Sequence, residues 1–322
     1  MCTAVSLSGA PHLFGRTLDL EDSCGAGIVI TPRAFRFATS RFPELPQPVA
    51  MIGVARLQDD QPLYFDAVNE HGLAIAALHF AGNAVYLPPR ADAYNVPSYA
   101  LIPWLLRQSR TVSDARALLL QTNLTSTAFC DALPPSPLHW LLADGKESLV
   151  IEPTAAGLQL YDNPVGILTN NPPFPCQLTR LQDYAHLTAI ASANAYYKGL
   201  GAVGLPGDFS SPSRLSRAAF VKKHLSKADH ATAHITRFFH LMDAVTVPVG
   251  CVQNAEGTPF FTQYTSCADT QSGTYYFTTH QNRRIRAVSL TDAAKNATAP
   301  IRFSMDGGED IDVLTPCNEK SK

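Results

Sequence analysis

Three side chains near the amino terminus could do chemistry together. They are the thiol of Cys2, the guanidinium of Arg16 and the carboxylate of Asp19, all within "MCTAVSLSGAPHLFGRTLDL". A small second residue lets an initiator methionine be clipped, which would leave cysteine first with a free α-amine. Such an amine titrates near about 7.7–8 and a free thiol near about 8.5. One residue then carries a nucleophile and the base that activates it, the amino-terminal form of nucleophilic catalysis. A cation beside the thiol favours the thiolate, and a carboxylate holds the ammonium or orients the amine. Each residue also has a plain alternative: a core cysteine that starts a strand, and a surface ion pair worth little.

The elements that must bring these residues together are legible. "CTAVSL" and "HLFGRTLDL" read as antiparallel strands across the turn "SGAP", which returns "RTLDL" to the side of the first residue. "GIVITP" reads as a further strand, and "PLYFDAVNEHGLAIAALHF" as a hairpin turned by "NEHG". "PSYALIPWLLRQ" and "SDARALLLQ" read as short helices, with Thr111 and Ser113 as candidate caps of the second. "HWLLADG", "SLVIEP", "GLQLYD" and "GILTNN" form a run of short strands. Helical patterning returns in "QLTRLQDYAHL", "SPSRLSRAAFVKKHLSKAD" and "ATAHITRFFHLMDAV", and strands in "FTQYTSC", "TYYFTTH" and "RIRAVSL". A long Gly-, Pro- and Ser-rich loop runs through "TAIASANAYYKGLGAVGLPGDFSSPS", and loops of that length tend to be functional. With no repeat and no break in composition, residues 1–322 are expected to form one domain of stacked sheet and helix layers.

Composition narrows the class. The chain has 322 residues, 46% hydrophobic and 16% charged, with a formal net charge of −2, so no electrostatic footprint for nucleic acid or an anionic membrane is present. No apolar run approaches the roughly 18 residues of a spanning helix, and no secretory pattern opens the chain. Seven scattered cysteines without a CxxC pair argue against a disulfide framework and a structural zinc site, and fit a reducing cytoplasm. None of the ten histidines sits in a motif that would partner a papain-type cysteine.

The stretches "MCTAVSL", "LFGRTLDLE" and "ITPR" resemble the start of the choloylglycine hydrolase family, which holds bile salt hydrolases and penicillin V acylases. The resemblance continues in order through "VNEHGLAIAALHFAGNAVY", "LHWLLAD", "VIEP", "GILTNNPPFPCQLTRLQDY", "GLPGDFSSPSRLSRAAF" and "TQYTSC…TYYF", over nearly the whole chain. It implies an α+β fold, the four-layer αββα sandwich of amino-terminal-nucleophile hydrolases, with two stacked antiparallel sheets flanked by helices. It also implies a site: Cys2 as nucleophile, Arg16 and Asp19 flanking it, Asn170 offering its side-chain amide to the oxyanion, and Arg214 near the nucleophile. By residue type alone, Asn170 is equally a turn residue of "TNNPP" and Arg214 a helix-surface charge.

One position departs from the family. Bile salt hydrolases usually carry Asn, and penicillin V acylases often Tyr, where this chain has His79. The family's oxyanion contribution there is a backbone N–H, which survives any substitution, and a neutral imidazole can itself donate. The departure bears on substrate preference more than on activity. The loop before "GLPGDF" is shorter than in many relatives, which bears on subunit contacts. The resemblance implies hydrolysis of a linear amide through a thioester, with neither metal nor organic cofactor. An amphiphilic amide, a glycine- or taurine-conjugated bile salt, is the first substrate expected, with penicillin V or another N-acyl amide next. A homo-oligomer, tetramer or dimer, is implied as well. A non-catalytic relative that binds amphiphiles is the remaining alternative.

Overall fold

The computed structural model describes residues 1–38, 48–191 and 201–314. In chain order, β1 (Cys2–Leu7), β2 (Leu13–Leu20) and β3 (Gly27–Thr31) are followed by β4 (Met51–Gln58), β5 (Gln61–Asn69) and β6 (Ala74–His79). Strand β7 (Tyr94–Pro97) leads into helices α1 (Leu101–Gln108) and α2 (Val112–Leu119), then β8 (Thr122–Thr125). Next come β9 (Leu138–Ala143), β10 (Ser148–Thr154), β11 (Gly157–Asp162), the two-residue β12 (Ile167–Leu168), and helices α3 (Phe174–Leu181), α4 (Ser211–His224) and α5 (Ala231–Asp243). Strands β13 (Phe261–Asp269), β14 (Thr274–Thr279) and β15 (Arg286–Ser289), one turn of helix α6 (Asp292–Lys295) and β16 (Ile301–Ser304) complete the order.

Two antiparallel sheets carry the fold. The smaller runs β12-β1-β2-β13-β14-β15 and the larger β11-β10-β9-β6-β5-β4-β3-β16, while β7 and β8 form a separate parallel pair. Side chains alternate across each strand, so both sheets have two apolar faces to bury. Ala4, Phe14 and Leu18 of the small sheet meet Ile52, Val68 and Leu141 of the large one in a shared core. The outer face of the large sheet (Ile75, Leu142, Ile151) packs on Leu101, Trp104 and Leu119 of α1 and α2. The outer face of the small sheet (Val5, Leu13, Cys267) packs on Leu215 of α4 and Phe238 and Met242 of α5. The result is helix, sheet, sheet, helix, the expected four-layer αββα order. Burying one such aliphatic or aromatic side chain contributes roughly 1.5–3 kcal/mol, and three separate clusters do so here.

The expected hairpin of β1 and β2 forms, with Cys2 opposite Leu18 and Ala4 opposite Arg16. Gly15 on β2 has a packing reason: a Cβ there would lie 1.9 Å from the Ser266 carbonyl oxygen of β13. Helix α2 is capped by Thr111 rather than Ser113; Thr111 Oγ1 accepts from Asp114 N at 3.1 Å, and the Asp114 carboxylate accepts from Thr111 N at 3.0 Å. Other boundaries shift. Helix α3 starts at Phe174, earlier than its apolar pattern, with Pro173 in the capping position. Helix α4 ends at His224, before "LSKAD". The long loop from Thr188 lies partly outside the described residues. Among the described residues, no helix is long and apolar enough to cross a membrane.

Candidate active site

Strand periodicity sorts the first candidates onto two faces. Cys2, Phe14 and Leu18 belong to the core between the sheets, so Arg16, two residues from each of the latter, shares the thiol's face. Asp19 falls on the opposite face, the one that carries Leu13 toward α4 and α5. Its carboxylate accepts from Thr262 Oγ1 at 2.7 Å, and its backbone meets the first residue: Met1 N donates to Asp19 O at 2.7 Å and Asp19 N to Met1 O at 3.0 Å. The expectation that Arg16 and Asp19 both flank Cys2 therefore resolves into two positions. Arg16 lies on the side-chain face and Asp19 along the backbone.

Arg16 is fully buried and reaches from the small sheet to the large one. Its Nη1 donates to Phe65 O at 3.2 Å and to Ala77 O, and its Nε to Thr17 O at 3.2 Å. Nη2 has no partner among the described residues. Burial works against the guanidinium's charge, yet the fields of Cys2, Tyr264, Asp66 and Asp19 hold it protonated above its ordinary range. Asp66 was not singled out by the sequence. It crosses the core from β5 and accepts from Tyr264 Oη at 2.6 Å, Ser266 Oγ at 3.1 Å and Tyr275 Oη, while Ser266 Oγ accepts from Arg16 N at 3.1 Å. Desolvation pushes the Asp66 carboxyl up, against Arg16 and the three hydroxyls, which favour its charged form.

Asn170 and Arg214 are neither turn decoration nor surface charge. Arg214 is fully buried and donates to Cys2 O, to Thr3 Oγ1 at 2.7 Å, to Phe209 O at 3.0 Å and to Asn170 Oδ1 at 2.7 Å. Burial lowers its pKa from the ordinary arginine value. The orientation of the Asn170 amide follows from its partners. A guanidinium can only donate, so the oxygen faces Arg214, and that same oxygen accepts from Cys2 N at 2.8 Å. A carbonyl can only accept, so the nitrogen faces His79 O, at 2.8 Å. One N–H of that NH2 group is left for another acceptor.

His79 ends β6, exposed, opposite Leu138 of β9. The next residue, Phe80, donates its N–H to Pro137 O, so His79 falls on the alternate rung and directs its own N–H and C=O away from β9. On that side the pairing with β5 has stopped at Ala76 opposite Asp66. The gap is where Arg16 and Asn170 reach the carbonyls of Ala77 and His79. Burial, the positive amino terminus and His139 lower the imidazole pKa, which keeps His79 neutral at neutral pH.

The loop from Phe80 lies beside the site, with Asn83 Nδ2 donating to Asn171 Oδ1 at 2.7 Å. Most of "AYYKGLG" lies outside the described residues.

A family model described as linear amide C–N hydrolases, choloylglycine hydrolase family, matches residues 2–303. The chain belongs to the choloylglycine hydrolase family. It is thus an amide hydrolase whose amino-terminal strand presents Cys2. Among relatives, the bile salt hydrolase/transferase of Lactiplantibacillus plantarum is 39% identical over 314 residues, 95% of this chain and 97% of that protein. The bile salt hydrolase/transferase of Clostridium perfringens is 33% identical over 305 residues, 90% of this chain and 92% of that one. A crystal structure of a mutant conjugated bile acid hydrolase from Clostridium perfringens superposes with a TM-score of 0.89 at 28% identity, covering 98% of this chain and all of that one. The penicillin V acylase of Agrobacterium tumefaciens shares the fold, with a TM-score of 0.76 at 19% identity over 94% of this chain and 91% of that one.

Proposed function

We propose that this chain hydrolyses the amide bond of glycine- or taurine-conjugated bile acids, with Cys2 as the nucleophile after removal of Met1. The observation that carries the reading is the single amide of Asn170, which joins Cys2 N, Arg214 and His79 O at the end of β1. Near-full-length identity to bile salt hydrolases supports the choice of substrate.

In the processed chain the Cys2 α-amine takes the thiol proton, directly or through a water, and the sulfur attacks the amide carbon. Arg16, on the same face, balances the thiolate's charge. As the C–S bond forms, the carbonyl oxygen gains negative charge and accepts from the second N–H of Asn170 and the backbone N–H of His79. The ammonium returns its proton to the leaving nitrogen as the C–N bond breaks, releasing glycine or taurine and leaving a thioester. Water, deprotonated by the same amine, attacks the thioester, and the bile acid departs as the thiol is restored. Arg214 serves by fixing both Cys2 O and Asn170, and Asp19, whose backbone meets Met1 before cleavage, lies beside the new amine and orients it. The same reading carries a homo-oligomer, tetramer or dimer, acting in the cytoplasm.

Intact mass tests the first step: the active chain lacks methionine, and a retained Met1 would point to an amphiphile-binding relative. Release of glycine and taurine from conjugated bile salts is then compared with cleavage of penicillin V, with Cys2→Ser as the control. Faster penicillin V cleavage would reassign the substrate, and full turnover by Cys2→Ser would overturn the mechanism.

A further inference from the structure

The segment that carries Asn170 lies outside any sheet ladder. Strand β12 ends at Leu168, so the backbone of residues 169–170 depends on side chains for its partners. Asn170 N donates to Ser211 Oγ at 2.9 Å, and Gln177 Nε2 donates to Asn170 O. The Thr169 carbonyl accepts from His139 Nε2 at 2.8 Å. His139 sits on the inner face of β9, fully buried, so this bond spans the two sheets at the site. Its ring stacks on Phe80, with centroids 4.3 Å apart and planes at 6°, and Phe80 follows His79.

The far nitrogen of that ring, Nδ1, lies 3.1 Å from Oε1 of Glu152 on β10, which is also fully buried. Oε1 also accepts from Phe174 N, the first residue of α3, at 3.0 Å. These contacts fix the protons. Thr169 O can only accept, so Nε2 carries a hydrogen. One more hydrogen must lie between Nδ1 and Oε1, whether on the ring or on the carboxyl, and either placement leaves the pair neutral overall. A second proton, or none, would bury a net charge.

We propose that His139 and Glu152 form a buried pair sharing one proton, and that this pair is the positioning device for Asn170. It sets the height of the Thr169 carbonyl between the sheets, and with it the amide that meets Cys2 N. It rests on the reading above only for the direction of its kinetic effect. His139 and Glu152 are positioning residues; neither touches Cys2.

Glu152→Gln is the discriminating change because it preserves volume but cannot satisfy its neighbours. Its oxygen can accept from Phe174 N, but Nδ1 must then donate as well. That requires either a buried imidazolium or a tautomer whose bare Nε2 faces the Thr169 carbonyl. The strut fails while the core stays filled. For an amide that the unaltered chain hydrolyses, kcat should fall about 10- to 100-fold with KM within about threefold, as a misplaced site group predicts. Trp140→Phe, on the same strand but facing α1 and α2, should lower thermal stability and leave kcat intact. A folded Glu152→Gln with kcat within about twofold of the parent chain would overturn the proposal.

A second measurement needs no substitution or substrate. In imidazole 15N NMR of the parent chain, His139 should show a protonated Nε2 and a low-field proton bridging Nδ1. A His139 ring with a bare Nε2, or with no proton bridging Nδ1, would overturn the pair even if no substrate were turned over. Absence of turnover by the parent chain, in contrast, would count against the functional reading alone.

Discussion

Asn170→Asp tests the heart of the site, because it replaces one atom of the amide and nothing else. Oδ1 keeps both donors, Cys2 N at 2.8 Å and Arg214 Nη2 at 2.7 Å. The second position changes from NH2 to oxygen, so an acceptor now faces His79 O, 2.8 Å from the former nitrogen. The spare N–H assigned to the oxyanion is lost, which alone costs about 2.7–4 kcal/mol, or about 10²–10³ in kcat. The carboxylate's charge beside the developing oxyanion adds to that loss. Asn170→Ala differs instructively. It leaves Arg214 Nη2 and Cys2 N short of a buried acceptor, so it should also lower stability by about 1–3 kcal/mol. The assay pairs kcat with thermal melting and iodoacetamide labelling of Cys2. The expected result for Asn170→Asp is a labelled, folded chain whose kcat is at least about 100-fold down. Turnover within tenfold of the parent would refute the amide orientation and the oxyanion role together.

His12 offers a pH test far from Cys2. Burial, the largest influence, lowers its pKa to about 4, with Ser6 Oγ at 2.9 Å and Thr270 Oγ1 at 3.0 Å as its partners. The unfolded histidine titrates near about 6.5, so between that pH and about 4 the unfolded chain binds a proton that the folded chain does not. The stability it contributes is full above that window and is lost as pH falls through it. Between about pH 7 and about pH 4.5 the parent should lose about 2 kcal/mol more than His12→Gln in urea melts; equal losses would refute the assignment. Thr111→Ala removes the capping box of α2, on the outer layer, and should cost about 1 kcal/mol in denaturant melts with kcat unchanged; no change in stability would count against the cap.

Much of the site was legible because its first half is local. The β1–β2 hairpin needs only alternation, a turn and eighteen residues of chain to bring "RTLDL" beside Cys2. The second half was legible only as resemblance, since nothing in "LTNNP" or "PSRLSR" distinguishes a turn Asn or a surface Arg from the buried pair they form. Sheet membership was also hidden. "GIVITP" follows β2 in sequence yet joins the other sheet as β3, and "GILTNN" leaves the β9–β11 run to pair with β1. Strands covered on both faces read as continuous apolar runs, which carry no sign of which neighbour they take. "MIGVARLQ" and "IRFS" raised no expectation as strands, and they became β4 and β16 through pairing with β3 on either side.

By itself the sequence determined the type of most elements and the residues able to react, because propensity, periodicity and side-chain chemistry are local properties, and it gave the family through resemblance. Only the tertiary structure decided which face of β2 meets the large sheet and which the helices, that Arg214 is buried on the Cys2 carbonyl, and that Asn170 turns its oxygen to Arg214. It alone revealed His139 and Glu152 beneath that amide. The reason is physical: the role of a polar group is set by the partners left to it once water is removed, and here most of those partners come from distant parts of the chain.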